Sequence, residues 1–167
     1  GLPSAGWHTN GYSLARHIVF DKLCLTPDSA PQGMGGSVAD VLLRPHRSYL
    51  KLIRPELTRT DSPITGMAHI TGGGLEENIE RVLPPTCRAR IETGSWPIPA
   101  VFDWIQQLGN IETDEMYQVF NMGIGFVLVV NPYYVESIQR RLSESWVPSW
   151  VIGQIASGTR NVKRTKA

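Results

Sequence analysis

Residues 66–78 read Gly-Met-Ala-His-Ile-Thr-Gly-Gly-Gly-Leu-Glu-Glu-Asn. A stretch with an apolar–polar rhythm runs into three consecutive glycines. A helical pattern follows at once, with Leu75, Ile79, Val82 and Leu83 at helical spacing. Strand, tight turn and helix N-terminus together let backbone N–H groups face an anion. Adjacent glycines also let a ligand approach the main chain with no Cβ in the way. The chemistry this suits is phosphate binding; the plain alternative is a helix start that needs unusual backbone angles. Glu76 and Glu77 favour the alternative, because each acid in the first turn interacts with the helix dipole by ~0.3–1 kcal/mol. The segment is not GxxxxGK[ST], and that loop occurs nowhere in the chain.

A second cluster, residues 6–13, reads Gly-Trp-His-Thr-Asn-Gly-Tyr-Ser and leads into a helical pattern. It offers an imidazole, hydroxyls and a carboxamide around a helix start, a set that can orient a phosphate or supply a general acid. An N-cap by Thr9 or Asn10 needs only one of them. A third, Phe120-Asn121-Met122-Gly123-Ile124-Gly125-Phe126, puts two alternating glycines at the start of a strong strand. Close backbone packing explains these as well as a ligand does. The four histidines, His8, His17, His46 and His69, never stand at metal-ligand spacing, so no metal site is expected. His69 alone reads as a satisfied core residue, Cys24 as an apolar-face residue, and Trp96, Trp104, Trp146 and Trp150 as core or interface.

The elements that must position these groups follow from periodicity and punctuation. Residues 12–25 predict a helix with Leu14, Ile18 and Leu25 on one stripe. Residues 26–36 are a loop with two prolines and three glycines. Ser37 and Asp40 make a capping box for a short helix that ends at Pro45. Residues 49–53 are apolar and of uncertain type, and 56–62 are polar and expected to be exposed. A helix over 75–83 stops at Pro84-Pro85. Residues 88–92 suggest a strand. Residues 99–108 form a helix with Val101, Ile105 and Leu108 inward and Gly109 as C-cap. Thr113 caps the next helix. Residues 123–130 are the strongest strand, Asn131-Pro132 starts a helix through Leu142, and residues 150–156 and those near Val162 are closing strands. The whole reads as one α+β or α/β domain.

Composition narrows the class. The chain has 167 residues, 41% apolar and 19% charged, with a formal net charge of +1. That suits a single soluble domain with its own core and gives no electrostatic case for nucleic acid or an anionic membrane. No apolar run approaches a membrane span of ~20 residues. Cys24 and Cys87 form no CxxC pair and no disulfide framework, which points to a reducing, cytoplasmic setting. The chain opens on Gly1 rather than Met, with no leader-like segment, and is read as an excised piece of a longer gene product.

Three segments in order, His8-Thr9-Asn10-Gly11-Tyr12-Ser13-Leu14, then residues 66–75 with Glu77-Asn78, then Phe120-Asn121-Met122-Gly123-Ile124-Gly125, closely resemble the phosphoribosylformylglycinamidine cyclo-ligase (aminoimidazole ribonucleotide synthetase) family. The resemblance extends through Trp96-Pro97-Ile98-Pro99 and Glu115-Met116-Tyr117 to Ile152-Gly153 and Gly158, almost the whole chain. It covers the family's C-terminal domain only, here residues 1–167. Trp7 departs from the pattern, standing where many relatives carry a smaller aliphatic residue.

The resemblance implies an α/β/α layered domain with a mixed sheet, partly ferredoxin-like. It implies ring closure of formylglycinamidine ribonucleotide in purine synthesis, with ATP activating the formyl oxygen. By position, His8 and Asn10 are implied as catalytic. Thr9, Thr71, Gly72, Gly73, Gly74, Asn121 and Gly123 are implied as substrate- or phosphate-binding. ATP and Mg2+ are implied to sit mainly on the N-terminal domain, and the full-length protein is implied to be a homodimer. The competing readings are another ATP-using member of the same superfamily, such as formylglycinamidine synthetase or selenophosphate synthetase, and an isolated non-catalytic binding domain.

Overall fold

The computed structural model describes residues 1–166. In chain order they form β1 (Leu2–Pro3), α1 (Tyr12–Arg16) running into a π-helical turn (His17–Lys22), α2 (Val38–Leu42), α3 (Leu50–Leu57) and β2 (Ile64–His69). Then come α4 (Gly74–Glu80), β3 (Cys87–Thr93), α5 (Ala100–Gly109), α6 (Thr113–Val119) and β4 (Ile124–Val130). A 3-10 turn (Pro132–Tyr134) leads to α7 (Val135–Glu144), and β5 (Gly153–Ser157) and β6 (Asn161–Lys166) close the chain.

The single mixed sheet implied above is two three-stranded sheets. One is antiparallel, in the order β1-β4-β2, and the other is mixed, in the order β5-β3-β6 with β3 and β6 parallel. The apolar run of β4 explains the first. Val127 faces the main core, while Phe126, Leu128 and Val130 face a smaller cluster with Leu2, Tyr49, Ile53, Ile138 and Leu142. Both faces of the strand are thus covered, and a nearly continuous apolar sequence is what such a strand requires.

Several elements differ from their sequence reading, each for a local reason. The helix over 12–25 turns π-helical at His17: the Leu23 amide reaches back to the Ile18 carbonyl at 2.9 Å, and Cys24 then reverses the chain at φ 51. Cys24 is therefore exposed rather than apolar-face. Residues 49–53 begin α3, which carries Pro55. Glu56, expected exposed, is buried, because the Arg141 guanidinium donates to both its oxygens, from Nε at 2.6 Å and Nη2 at 2.9 Å. The pair ties α3 to α7.

The helix after the glycines stops at Glu80, and Val82 is exposed, as is Leu108. Asn110, left-handed at φ 54, caps α5 in place of Gly109. Glu112 precedes α6, and the Thr113 hydroxyl instead accepts from the Gln106 side chain at 3.1 Å. Trp146 stands 93% exposed, against its core or interface reading. The capping box at Ser37 and Asp40 forms as read, with both reciprocal bonds at 3.1 Å.

Candidate functional site

Residues 4–10 run from β1 to α1 and carry the first candidates. His8 is buried in a left-handed conformation, φ 58, which costs a residue with a Cβ free energy and persists only where the surroundings impose it. The Ala5 amide donates to Nε2 of His8 at 2.8 Å. That nitrogen therefore holds the lone pair, and a neutral ring carries its proton on Nδ1. Nδ1 is buried with no partner. Burial first, then the charges of His46, His69 and Arg47, lower the His8 pKa to about 4, so the ring is neutral at neutral pH. Two residues on, the Asn10 Nδ2 is also buried without a partner. Two unpartnered N–H donors two positions apart are uncommon, because buried polar groups are normally paired. Thr9 is exposed, its hydroxyl 3.4 Å from Nδ1 of His46.

The glycine turn lies beside this segment. Asn78, buried in α4, reaches the carbonyls of Thr71 and Gly72 at 3.2 Å each and that of Gly74 at 2.7 Å. Its Oδ1 accepts from the Thr71 hydroxyl at 3.1 Å. Thr71 is thereby engaged in holding the turn. Gly73 and Gly74 have φ of 92 and 59, and a Cβ on Gly74 would lie 1.8 Å from the Tyr117 carbonyl oxygen. These two glycines are demanded by the backbone. Gly72 is different: a Cβ there would meet only Asn10 Oδ1, at 3.6 Å. Among the described residues, the Gly72 and Gly73 amides have no backbone acceptor.

The acids in the first turn of α4 are both neutralised. Glu76 accepts from Arg164, which also donates to Asp114 at 2.8 Å and lies 4.5 Å from the Tyr117 ring centroid. Glu77 pairs with Arg81 at 3.3 Å. Their objection to an anion at the turn is correspondingly reduced.

Asn121 and Gly123 take up a supporting position. The buried Asn121 donates to the carbonyls of Gly6 at 2.9 Å and Trp7 at 3.2 Å, and accepts from the Gly123 amide at 2.8 Å. Its polar atoms are spent on pinning the segment that bears His8. Trp7 is buried in the domain's own core against Phe102 and Phe120. Gly125 leaves room for the His8 ring: a Cβ there would lie 2.5 Å from His8 Cε1 and 2.0 Å from the Tyr49 hydroxyl.

Sequence spacing hid one cluster. His46 stacks on His8 with ring centroids 3.8 Å apart, and its Nε2 lies 2.9 Å from Nε2 of His69. Ring nitrogens of all three lie within 4.8 Å of one another. The expectation that the histidines stand apart fails, because three separate elements deliver them: the segment before α1, the segment between α2 and α3, and the end of β2. His69 is exposed rather than a core residue. Tyr49 and Phe126 flank it, with centroids at 6.2 and 5.9 Å.

Two small sheets together with helices, and a glycine turn beside unpartnered imidazole and carboxamide donors, define a mixed α/β domain. The chain belongs to the family of C-terminal domains of AIR synthase related proteins, whose family model matches residues 1–165. It is 49% identical over 95% of its length to the phosphoribosylformylglycinamidine cyclo-ligase of Geobacillus kaustophilus, covering 45% of that protein. It is 46% identical over 99% to the enzyme of that name from Syntrophotalea carbinolica, covering 47%. For that of Bifidobacterium longum subsp. infantis the identity is 42% over 95%, covering 46%. The chain thus spans slightly less than half the length of these curated relatives. Among the described residues, no helix is long and apolar enough to cross a membrane.

Proposed function

We propose that this chain is the substrate-closing half of an ATP-dependent cyclo-ligase, which converts formylglycinamidine ribonucleotide to aminoimidazole ribonucleotide in purine synthesis. The observation that carries the proposal is the pair of buried, unpartnered donors, His8 Nδ1–H and Asn10 Nδ2, beside the open Gly72 of the glycine turn. Donors fixed in a dry site stabilise an oxygen on which charge develops, and need no reorganisation when it does.

In this reading His8 works as a neutral donor to the substrate's amide or formyl oxygen. It is neither a base nor a cationic acid, since Nε2 is occupied by Ala5 and the ring is neutral at neutral pH. Asn10 holds the same substrate through its carboxamide. The Gly72 and Gly73 amides take the ribose phosphate, with Thr9 completing that side, while Gly74, whose amide donates to the Thr71 carbonyl at 3.1 Å, shapes the turn. Thr71 acts through Asn78, and Asn121 and Gly123 act by holding residues 6–8. The catalytic, positioning and phosphate groups thereby divide among the residues that the resemblance grouped together.

Magnesium does not fit this chain. It takes oxygen ligands, whereas the one metal-capable cluster among the described residues is made of three imidazoles, and Glu76 and Glu77 are held by arginines. ATP, whose role in the family is to activate the formyl oxygen, is assigned with Mg2+ to the N-terminal domain. That domain and a second subunit are the partners proposed here, in a cytoplasmic homodimer with a layered α/β/α, partly ferredoxin-like C-terminal half.

Calorimetry with formylglycinamidine ribonucleotide, and separately with inorganic phosphate, tests the reading. Saturable binding that is lost on changing Asn10 to Ala supports it. No binding to either this chain or the full-length protein overturns it in favour of a non-catalytic module.

A further inference from the structure

We propose that His46 and His69 form a binding site for a divalent transition-metal cation of the zinc, nickel or copper class. Their Nε2 atoms lie 2.9 Å apart, and their rings meet at 69°. Two imidazole nitrogens bound to one tetrahedral zinc at 2.0–2.1 Å stand about 3.3 Å from each other. An opening of a few tenths of an ångström therefore converts the observed contact into a chelate.

Without a cation, the two rings stay this close only by sharing one proton, the first Nε2 donating and the second accepting. Binding replaces that proton. His46 is equipped for the exchange: Nδ1 lies 3.4 Å from the Thr9 hydroxyl, so it can carry the proton and donate it there, leaving Nε2 free. A ligating histidine typically gives its second N–H to such an acceptor, which fixes its tautomer and orientation.

His8 is close but is not a ligand. Its Nε2 is occupied by the Ala5 amide and its Nδ1 carries the proton, so neither nitrogen has a lone pair to offer. It forms a wall, stacked on His46 at 3.8 Å. His69 is exposed and His46 partly so, which leaves the remaining coordination positions open to water or to an anion. Imidazole ligands without a carboxylate select borderline metals over magnesium or calcium. The site goes beyond the cyclo-ligase reading and adjoins its proposed substrate donors, so an occupied site would compete for the same space.

Zinc chloride, and then nickel chloride, titrated into the chelator-treated chain at neutral pH is the test, read by calorimetry without any turnover. One metal per chain is expected. His46→Gln and His69→Gln should each weaken binding by at least about tenfold with an unchanged melting temperature, and His8→Gln should leave it unchanged. Absence of saturable binding overturns the proposal. So does binding that survives the double His46→Gln, His69→Gln change, which would place the metal elsewhere, for instance at His17 and Asp21. A loss with His8→Gln as large as with the other two overturns the assignment of ligands. None of these outcomes depends on whether the chain takes part in ring closure.

Discussion

The Ala5 amide donates to Nε2 of His8 across 2.8 Å, and this bond decides which ring nitrogen carries the proton. A neutral His8 must then present Nδ1–H, and that hydrogen has no acceptor within the protein. The bond also distinguishes two ways of removing the side chain. Glutamine at position 8 can keep an oxygen near the Nε2 position for Ala5 while deleting the Nδ1–H. In the full-length protein, His8→Gln is expected to lower kcat by about 100-fold or more. The melting temperature should stay within roughly 3 °C of the parent. Steady-state kinetics and thermal melts on the same preparation check this. A fall in turnover no larger than the loss of folded protein would reduce His8 to a structural residue.

Acid should destabilise the domain through the same ring. The pKa of His8 falls from 6.5 to about 4 on folding, first by burial and then by the charges of His46, His69 and Arg47. Between those two values the unfolded chain binds a proton that the folded chain refuses, so stability rises with pH across that window. The contribution is fully present above the unfolded pKa and is lost as pH drops toward 4. Urea midpoints measured from pH 7 to pH 4, with a chelator present, should decline more steeply for the parent than for His8→Gln. Identical slopes would mean that His8 takes up its proton equally in the folded and unfolded chains.

Periodicity and punctuation made much of the fold legible. The capping box at Ser37, β4 and the helix after the glycines follow from local patterns. What escaped was set by distant partners. Glu56 is polar in a polar stretch, and nothing near it betrays Arg141, 85 positions away, which makes its burial tolerable. The histidine cluster is the same case in the site. Positions 8, 46 and 69 obey no spacing rule, and they meet only because β2 ends opposite Phe126 and the chain before α3 folds over it. The ordered set of segments made the family legible, but it did not separate the residues that can touch a ligand from those that hold them.

Asn121 illustrates that separation. The resemblance groups it with the binding residues, yet its carboxamide is fully engaged with Gly6, Trp7 and Gly123. Asn121→Ala leaves two carbonyls and an amide buried without partners and should cost about 2–4 kcal/mol. Chemical denaturation measures that cost directly. Binding of formylglycinamidine ribonucleotide should weaken only in proportion to the misplacement of His8. A variant with parental stability and lost binding would return Asn121 to direct contact with the ligand.

The glycines at 72 and 74 should respond in opposite ways to the same added methyl group. At Gly74 the backbone is left-handed, φ 59, and a Cβ would lie 1.8 Å from the Tyr117 carbonyl oxygen, which belongs to the main chain and cannot swing aside. Gly74→Ala is therefore expected to cost about 2–4 kcal/mol, part conformational and part steric. At Gly72 the methyl meets only the Asn10 Oδ1, at 3.6 Å, an ordinary contact. Gly72→Ala should change stability by no more than about 0.5 kcal/mol. Its effect belongs to the ligand, because the methyl would stand beside an amide that has no backbone acceptor and beside the Asn10 carboxamide. Denaturation and phosphate calorimetry on both variants separate the cases. If Gly72→Ala binds phosphate as well as the parent, the anion does not approach the turn at Gly72.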